Sequence, residues 1–506
     1  MPETAVPITP LCRRYRIPVF VLVLLFLLCF SLHAREYHQV AGLIDLRTSC
    51  SDGAYSVETI VSLARERGFR LLFLNDHDRM VLEYGLPPFR NLCKVRAELN
   101  SINRNGVRAY LDAIRAAEMK YPDMIIIPGS ETASFYYWSG NPLIGTLTAH
   151  DHERRFLTIG MNEPEDYENL PIIHNGGYGA YGLPLFCLIL LAGCAGALWI
   201  VRRHIDRRGW ILLFLVLFLV LYLFDTIVFR SGPFDQYHGD RGMKPYQCAI
   251  DYVNDRGGMV FWNYPETRSG VRKLGPIHVN TQPYPEVLSE TVNYTGFAAI
   301  YGDRITVTEP GNLWDHVLIA YCEGARKRPA WGIATADYHS EAGAGGKLGN
   351  YVTTFLVEND RPEDVLDAMR RGRMYAYRGK YPQSVRLDRF TVSALRGEKE
   401  AVSGETITMA EIPKIKIEMQ SHDGSERPVE VRLIRSGSLV RTFRGSLPLR
   451  IDCTDRYYEP GRTVYYRLEM RGYGTLVSNP IFVTFAEKAS VFRDDPGKIG
   501  NPEKEG

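Results

Sequence analysis

What this 506-residue chain lacks first is an excess of charge of either sign. Its 60 Lys and Arg stand against 58 Asp and Glu, for a formal net charge of +2. The basic surplus with which a dedicated nucleic-acid binder attracts a polyanion is missing, so no nucleic-acid partner is expected. Cysteine is sparse and scattered. None of the nine forms a CxxC pair, and Cys29, Cys187 and Cys194 lie in apolar stretches, which indicates neither a disulfide framework nor a zinc ribbon. The length exceeds one ordinary domain and suits two packed units plus membrane segments.

Long apolar runs are present, and there are three. Residues 17–32 are almost wholly apolar and follow Arg13, Arg14 and Arg16, as in an uncleaved signal anchor. A removed signal peptide competes, but Leu32-His33-Ala34 puts Leu where a cleavage site wants a small residue. Residues 183–201 carry no charge, and residues 210–229 carry only Asp225, so each is long enough to cross a hydrocarbon core about 30 Å thick. Two buried core helices are the alternative, though such helices seldom stay uncharged for so long. The link 202–208 holds four arginines, which the positive-inside rule places in the cytoplasm together with the basic amino terminus. The expectation is a multi-pass protein of the cell inner membrane, with the bilayer as a partner and its soluble parts on the periplasmic or extracytoplasmic side.

The soluble part alternates helical and strand patterns. Val57, Ile60, Val61 and Ala64 repeat at helical spacing, Gly68 supplies a stop, and Leu71–Leu74 reads as a buried strand. Further apolar runs of strand character occupy 124–127, Met259–Trp262 and Trp331–Ala334, with helical patterns at 107–119 and Pro362–Arg371. Such alternation implies an α/β barrel or layered sheet. Directly after these strands come Asn75-Asp76-His77-Asp78, Gly129-Ser130-Glu131, Asn263-Tyr264-Pro265 and Asp337-Tyr338-His339. In a parallel barrel the strands' carboxyl ends share one face, so these groups would share one pocket. A turn or helix-cap role competes for each taken singly. Beyond Tyr381 the period falls to two, as in Ile415, Ile417 and Met419, with Gly and Ser turns, which suggests a β-sandwich without chemistry of its own. The tail is polar and rich in Pro, Lys and Glu.

In order, these motifs resemble the polymerase and histidinol phosphatase (PHP) superfamily of metallohydrolases. Thr48-Ser49-Cys50-Ser51-Asp52-Gly53 looks like its first turn, Asn75-Asp76-His77-Asp78 its second motif, Gly129-Ser130-Glu131 its third and Asp337-Tyr338-His339 its last. The resemblance implies a (β/α)7 barrel over roughly residues 38–380, interrupted by the membrane hairpin, and metal-dependent phosphoester hydrolysis. The expected division is a signal anchor (1–34), a PHP-like domain in two parts (35–182 and 231–382), a transmembrane hairpin (183–230), a β-sandwich (383–486) and a disordered tail (487–506).

The family pattern is incomplete here. Its opening His-x-His falls on Asp45-Leu46-Arg47, its Ala-His-Pro histidine on Asn263, and a further histidine on Arg155. His150 and His152 are nearby substitutes. The resemblance leaves Asp52, His77, Glu131, Asp337 and His339 as metal ligands, with Asp45 a replacement ligand and Asp76 a further candidate. His77, Asp337 and His339 would be catalytic. Such a set suits one divalent ion (zinc, manganese or iron), at most two, or none. Arg47 and Arg155 would neutralise the carboxylates and present forks to a small anionic or phosphorylated ligand. A guanidinium does not lower the pKa of a bound water, so binding can outlast hydrolysis. Three readings follow: a membrane-anchored hydrolase with a reduced site, a pseudoenzyme that binds an anionic envelope metabolite or lipid headgroup, and a structural or assembly protein.

Overall fold

The computed structural model describes residues 37–175, 207–227, 232–343 and 346–487, together with Gly196. The expected first anchor, nearly all of the first hairpin segment and the tail beyond 487 lie outside the described residues. The fold is mixed α/β with a large sheet.

Seven strands form a ring: β1 (His38–Leu46), β2 (Leu71–Leu74), β3 (Ile125–Thr132), β4 (Phe156–Ile159), β5 (Met259–Trp262), β6 (Gly296–Ile300) and β7 (Trp331–Ala334). Neighbours pair in that order. The ring closes where the chain after β7 meets β1: Ala336 N donates to Ile44 O at 3.0 Å, Tyr338 N to Asp45 O at 3.1 Å and Arg47 N to Tyr338 O at 2.9 Å. Strands β2, β4, β5, β6 and β7 are buried along their whole length, as apolar runs covered on both faces should be. Around the ring, Ser56 caps helix Val57–Glu66 by accepting from Thr59 N, and that helix buries Val57, Ile60, Val61 and Ala64. One feature departs from an all-parallel ring. Strand β4 runs antiparallel to both β3 and β5, whereas the other pairs around the ring are parallel. The mouth is therefore lined by the carboxyl ends of six strands and the amino end of one.

The sheet continues outward from β1 through β8 (Tyr351–Val357) and β9 (Met374–Arg378), and β9 pairs with Gly474–Ser478. It thereby enters the carboxy-terminal strands, where a second sheet containing Val385–Ala394, Pro413–Ser421 and Leu449–Thr454 faces it. Val392, Ile415, Ile417 and Met419 from one sheet and Val431, Leu468 and Met470 from the other share one apolar core.

Helix Arg207–Ile227 is long and apolar enough to cross a membrane. Its window Gly209–Thr226 has a mean hydropathy of 2.3 and is only 6% buried, unlike the core helix of a soluble domain. It is the one such helix among the described residues, so three membrane spans are not seen there.

Candidate functional site

The mouth of the ring gathers residues far apart in the chain. His77 follows β2 and lies in bridge pairing with Glu131 near the end of β3, Asp45 ends β1, Asn263 follows β5, and Asp337 and His339 follow β7. Arg155 immediately precedes β4 and reaches the same face because that strand is reversed. Two glycines permit the close approach. A Cβ on Gly129 would stand 2.4 Å from the Thr158 carbonyl, and one on Gly53 would stand 2.2 Å from the Arg47 carbonyl. Asp45, Tyr264 and Asp337 hold positive φ angles of 70°, 47° and 47°, so strained backbone concentrates at this rim.

Glu131 is the hub. Its Oε2 lies 2.8 Å from Arg47 Nη2, 2.9 Å from Arg155 Nη1 and 3.1 Å from His77 Nδ1, while its Oε1 accepts from Asn263 Nδ2 at 2.8 Å. Arg47 is fully buried. Its Nη2 also meets Asp45 Oδ1 at 2.9 Å, and its Nη1 donates to the Asn75 carbonyl. Asp45 Oδ2 receives Asn263 Nδ2 at 3.1 Å and the hydroxyl of Tyr264. Farther out, Asp52 Oδ2 stands 3.2 Å from Nε2 of both His77 and His339. Asp337 is the most open of the acids at 41% side-chain exposure, with Oδ1 3.7 Å from Arg47 Nη2 and 3.8 Å from His339 Nδ1.

This network sorts the protonation states. Burial pushes Asp45 up to about 7, with Arg47 pulling the other way. Burial also opposes ionisation of Glu131, but Arg47 and Arg155 outweigh it and hold the carboxyl well below its usual range. For Asp52, hydrogen bonds from His339 and His77 overcome desolvation and lower its pKa. Against burial, the hydrogen bond to Asp52 and the charge of Asp337 raise His339 to about 9, so its imidazole is cationic at neutral pH.

Other candidates stand elsewhere or do different work. Asp76 is buried under the first turn, accepting from Thr48 N at 2.7 Å, Thr48 Oγ1 at 2.8 Å and Ser51 Oγ at 2.6 Å, and so fixes the loop that carries Asp52. His150 sits on a small separate sheet, stacked on Tyr137 and within 2.7 Å of Ser139 Oγ. His152 lies against the edge of Tyr136. Neither makes a hydrogen bond to the Glu131 hub. Tyr264 is the member that motif reading did not assign, because its hydroxyl reaches Asp45 only through the left-handed backbone after β5.

The multi-ion centre that the resemblance implies does not fit these residues. Both oxygens of Glu131 are already taken by fixed donors, and a buried guanidinium bridges Asp45 and Glu131. Among the described residues no group of three or more His, Cys, Asp or Glu side chains is arranged to hold a metal. Asp52, His77 and His339 converge as hydrogen-bonded partners instead.

No protein-family model matches the chain, and no curated protein does. Among solved structures it is similar to a two-domain protein from Bacteroides vulgatus containing a predicted PHP-like metal-dependent phosphoesterase. The identity is 11%, covering 87% of this chain and 94% of that one, with a TM-score of 0.34. A second, a candidate metal-dependent phosphoesterase from Bifidobacterium adolescentis, is 14% identical over 65% of this chain and 96% of that one, with a TM-score of 0.31. Both likenesses are distant.

Proposed function

We propose that the chain is a membrane-anchored, PHP-like phosphoesterase-type (β/α)7 barrel that binds a small phosphorylated or otherwise anionic ligand at its mouth and has lost multi-ion hydrolysis. Its soluble units, the interrupted barrel and the β-sandwich, stand on the extracytoplasmic side of the inner membrane in this reading, held by an amino-terminal anchor and a transmembrane hairpin. One observation carries the ligand reading. Arg155 spends only Nη1 on Glu131 and His77, its side chain is 18% exposed, and its Nε and Nη2 make no hydrogen bond among the described residues. Those nitrogens suit a phosphate or carboxylate edge, and cationic His339 stands on the same rim. Arg47, fully buried, serves as the internal counter-ion rather than as a ligand contact.

A second reading, a single-ion hydrolase, is favoured by the convergence of Asp52, His77 and His339. Two imidazoles and a carboxylate are the donor types that one divalent ion such as zinc, manganese or iron takes, and once their mutual hydrogen bonds opened they would hold an ion able to activate a water. Phosphomonoesters and phosphodiesters, tested for binding by calorimetry and for turnover with each of these metals, separate the two. The binding reading expects affinity that Arg155→Ala abolishes, without turnover. Metal-dependent turnover lost in His77→Ala and His339→Ala but kept in Arg155→Ala would overturn it in favour of the hydrolase.

A further inference from the structure

The hairpin formed by Val81–Gly85 and Lys94–Glu98 ends in a turn, residues 86–93, that leaves the barrel and runs along helix Arg207–Ile227. The ring of Phe89 packs against Phe218 at a centroid distance of 5.2 Å. Phe218 stands at the middle of the span Gly209–Thr226. At a rise of about 1.5 Å per residue, it lies about 10 Å nearer the helix's amino end than Asp225. Side chains on a helix tilt toward its amino terminus, which sets the Phe218 ring no shallower than its own backbone. A group touching that ring is therefore below the membrane surface if the helix spans.

The turn is chemically prepared for such a place. Leu86 and Leu92 are 50% and 42% exposed. Pro87 and Pro88 carry no amide hydrogen. Leu86 N donates to Cys93 O and Cys93 N to Phe89 O, each at 2.8 Å. The amides of Asn91 and Leu92 donate to Asp225 Oδ1 at 2.8 and 2.7 Å, and Asn91 Nδ2 donates to the Asp225 carbonyl at 3.0 Å. The acid near the end of the span thus meets its donors inside the protein, as hydrocarbon demands. The one full charge on the turn, Arg90, folds back over the Tyr237 ring at 4.4 Å, and Tyr237 in turn accepts Gly85 N at 2.7 Å.

We infer that residues 86–93 form a membrane-immersed turn, with Leu86, Phe89 and Leu92 in contact with lipid acyl chains beside the spanning helix. This seats the barrel directly on the bilayer rather than on a tether. The inference rests on the reading that Arg207–Ile227 spans the membrane, and its test separates the two. The full chain, in vesicles of phosphatidylethanolamine and phosphatidylglycerol, carries the photoreactive residue benzoyl-phenylalanine at Leu86, Leu92, Leu219 or Leu439, one at a time. Irradiation and mass spectrometry then read lipid adducts. Adducts from Leu86 and Leu92 comparable to those from Leu219 on the helix, with none from Leu439 in the carboxy-terminal sheets, are expected. Adducts from Leu219 without any from Leu86 and Leu92 would overturn the immersed turn while leaving the spanning helix intact, and equal adducts from Leu439 would overturn it as non-selective. Absence of adducts from Leu219 would remove the spanning helix and the turn together.

Discussion

Arg467 of the carboxy-terminal sheets grips Asp315 of the barrel at two points, Nε to Oδ1 at 2.7 Å and Nη2 to Oδ2 at 2.8 Å, with both side chains fully buried. The same carboxylate accepts Tyr465 OH at 2.7 Å and Gly311 N at 2.8 Å, and Arg467 also donates to the Thr308 carbonyl and covers the Trp314 ring. The two units are therefore joined by an enclosed ion pair alongside apolar packing, in which Tyr465, Val477 and Phe482 enter the barrel core. Removing one partner leaves a buried charge without compensation, which costs about 3–5 kcal/mol, whereas removing both costs far less. Arg467→Met should lower the thermal midpoint of the full chain sharply, and the double variant Arg467→Met with Asp315→Leu should recover much of the loss. An unchanged midpoint in Arg467→Met would show that the pair does not join the units.

At the mouth, Arg47 separates Asp45 from Glu131, and its loss should be felt most when both acids are ionised. Asp45 titrates at about 7 with Arg47 in place and higher without it, because Arg47 lowers its pKa. Arg47→Met should therefore destabilise the protein by about 3–5 kcal/mol above neutral pH and by less near pH 5, where Asp45 is protonated and Glu131 alone still needs the counter-ion. Denaturation at the two pH values checks this. An equal loss at both would mean that the guanidinium does not act through Asp45.

His339 gives the opposite pH slope to a salt-bridged acid. Its folded pKa of about 9 lies above the unfolded value near 6.5, so its pairing with Asp52 stabilises fully below pH ~6.5 and the contribution fades as pH rises through 9. In metal-free protein, histidine NMR should show one imidazole titrating near 9. Asp52→Asn should move that titration to or below the ordinary value, because burial then acts with less opposition. A wild-type His339 that titrates near 6.5 would contradict the Asp52 contact.

Much of the ring was legible before its geometry. Leu71–Leu74, Met259–Trp262 and Trp331–Ala334 are short apolar runs bounded by polar residues, and each is a strand whose exit carries His77, Asn263 or His339. The helix Val57–Glu66 followed from a 3.6-residue apolar repeat. The direction of β4 was not legible, since Phe156–Ile159 reads the same either way, and pairing with β3 and β5 decides it. Only that reversal explains why Arg155, at a strand's amino end, meets residues from carboxyl ends. Nor does a motif reveal that Arg47 is wholly enclosed while Arg155 is not, because burial is set by the closure of β7 on β1.

In the PHP pattern Glu131 would be a ligand, yet here its Oε1 is held by Asn263 and its Oε2 by two guanidiniums and His77. An ion at Glu131 would have to displace a fixed positive charge and stand close to another, and Coulomb repulsion between a divalent ion and a guanidinium a few ångströms away in a partly buried site amounts to several kcal/mol. Asp52 carries no arginine ion pair among the described residues, but Arg155 Nη1 stands 3.5 Å from His77 Nε2, and Asp52 must exchange two hydrogen bonds for the ion. Elemental analysis of protein saturated with zinc or manganese and then desalted should therefore find at most one ion per chain. Any such ion should vanish in His339→Ala and persist in Glu131→Gln, whose main effect should be loss of stability as Arg47 and Arg155 lose their shared counter-ion. Two or more tightly held ions per chain, lost in Glu131→Gln, would show instead that the arginines swing aside and that the hub is a metal centre after all.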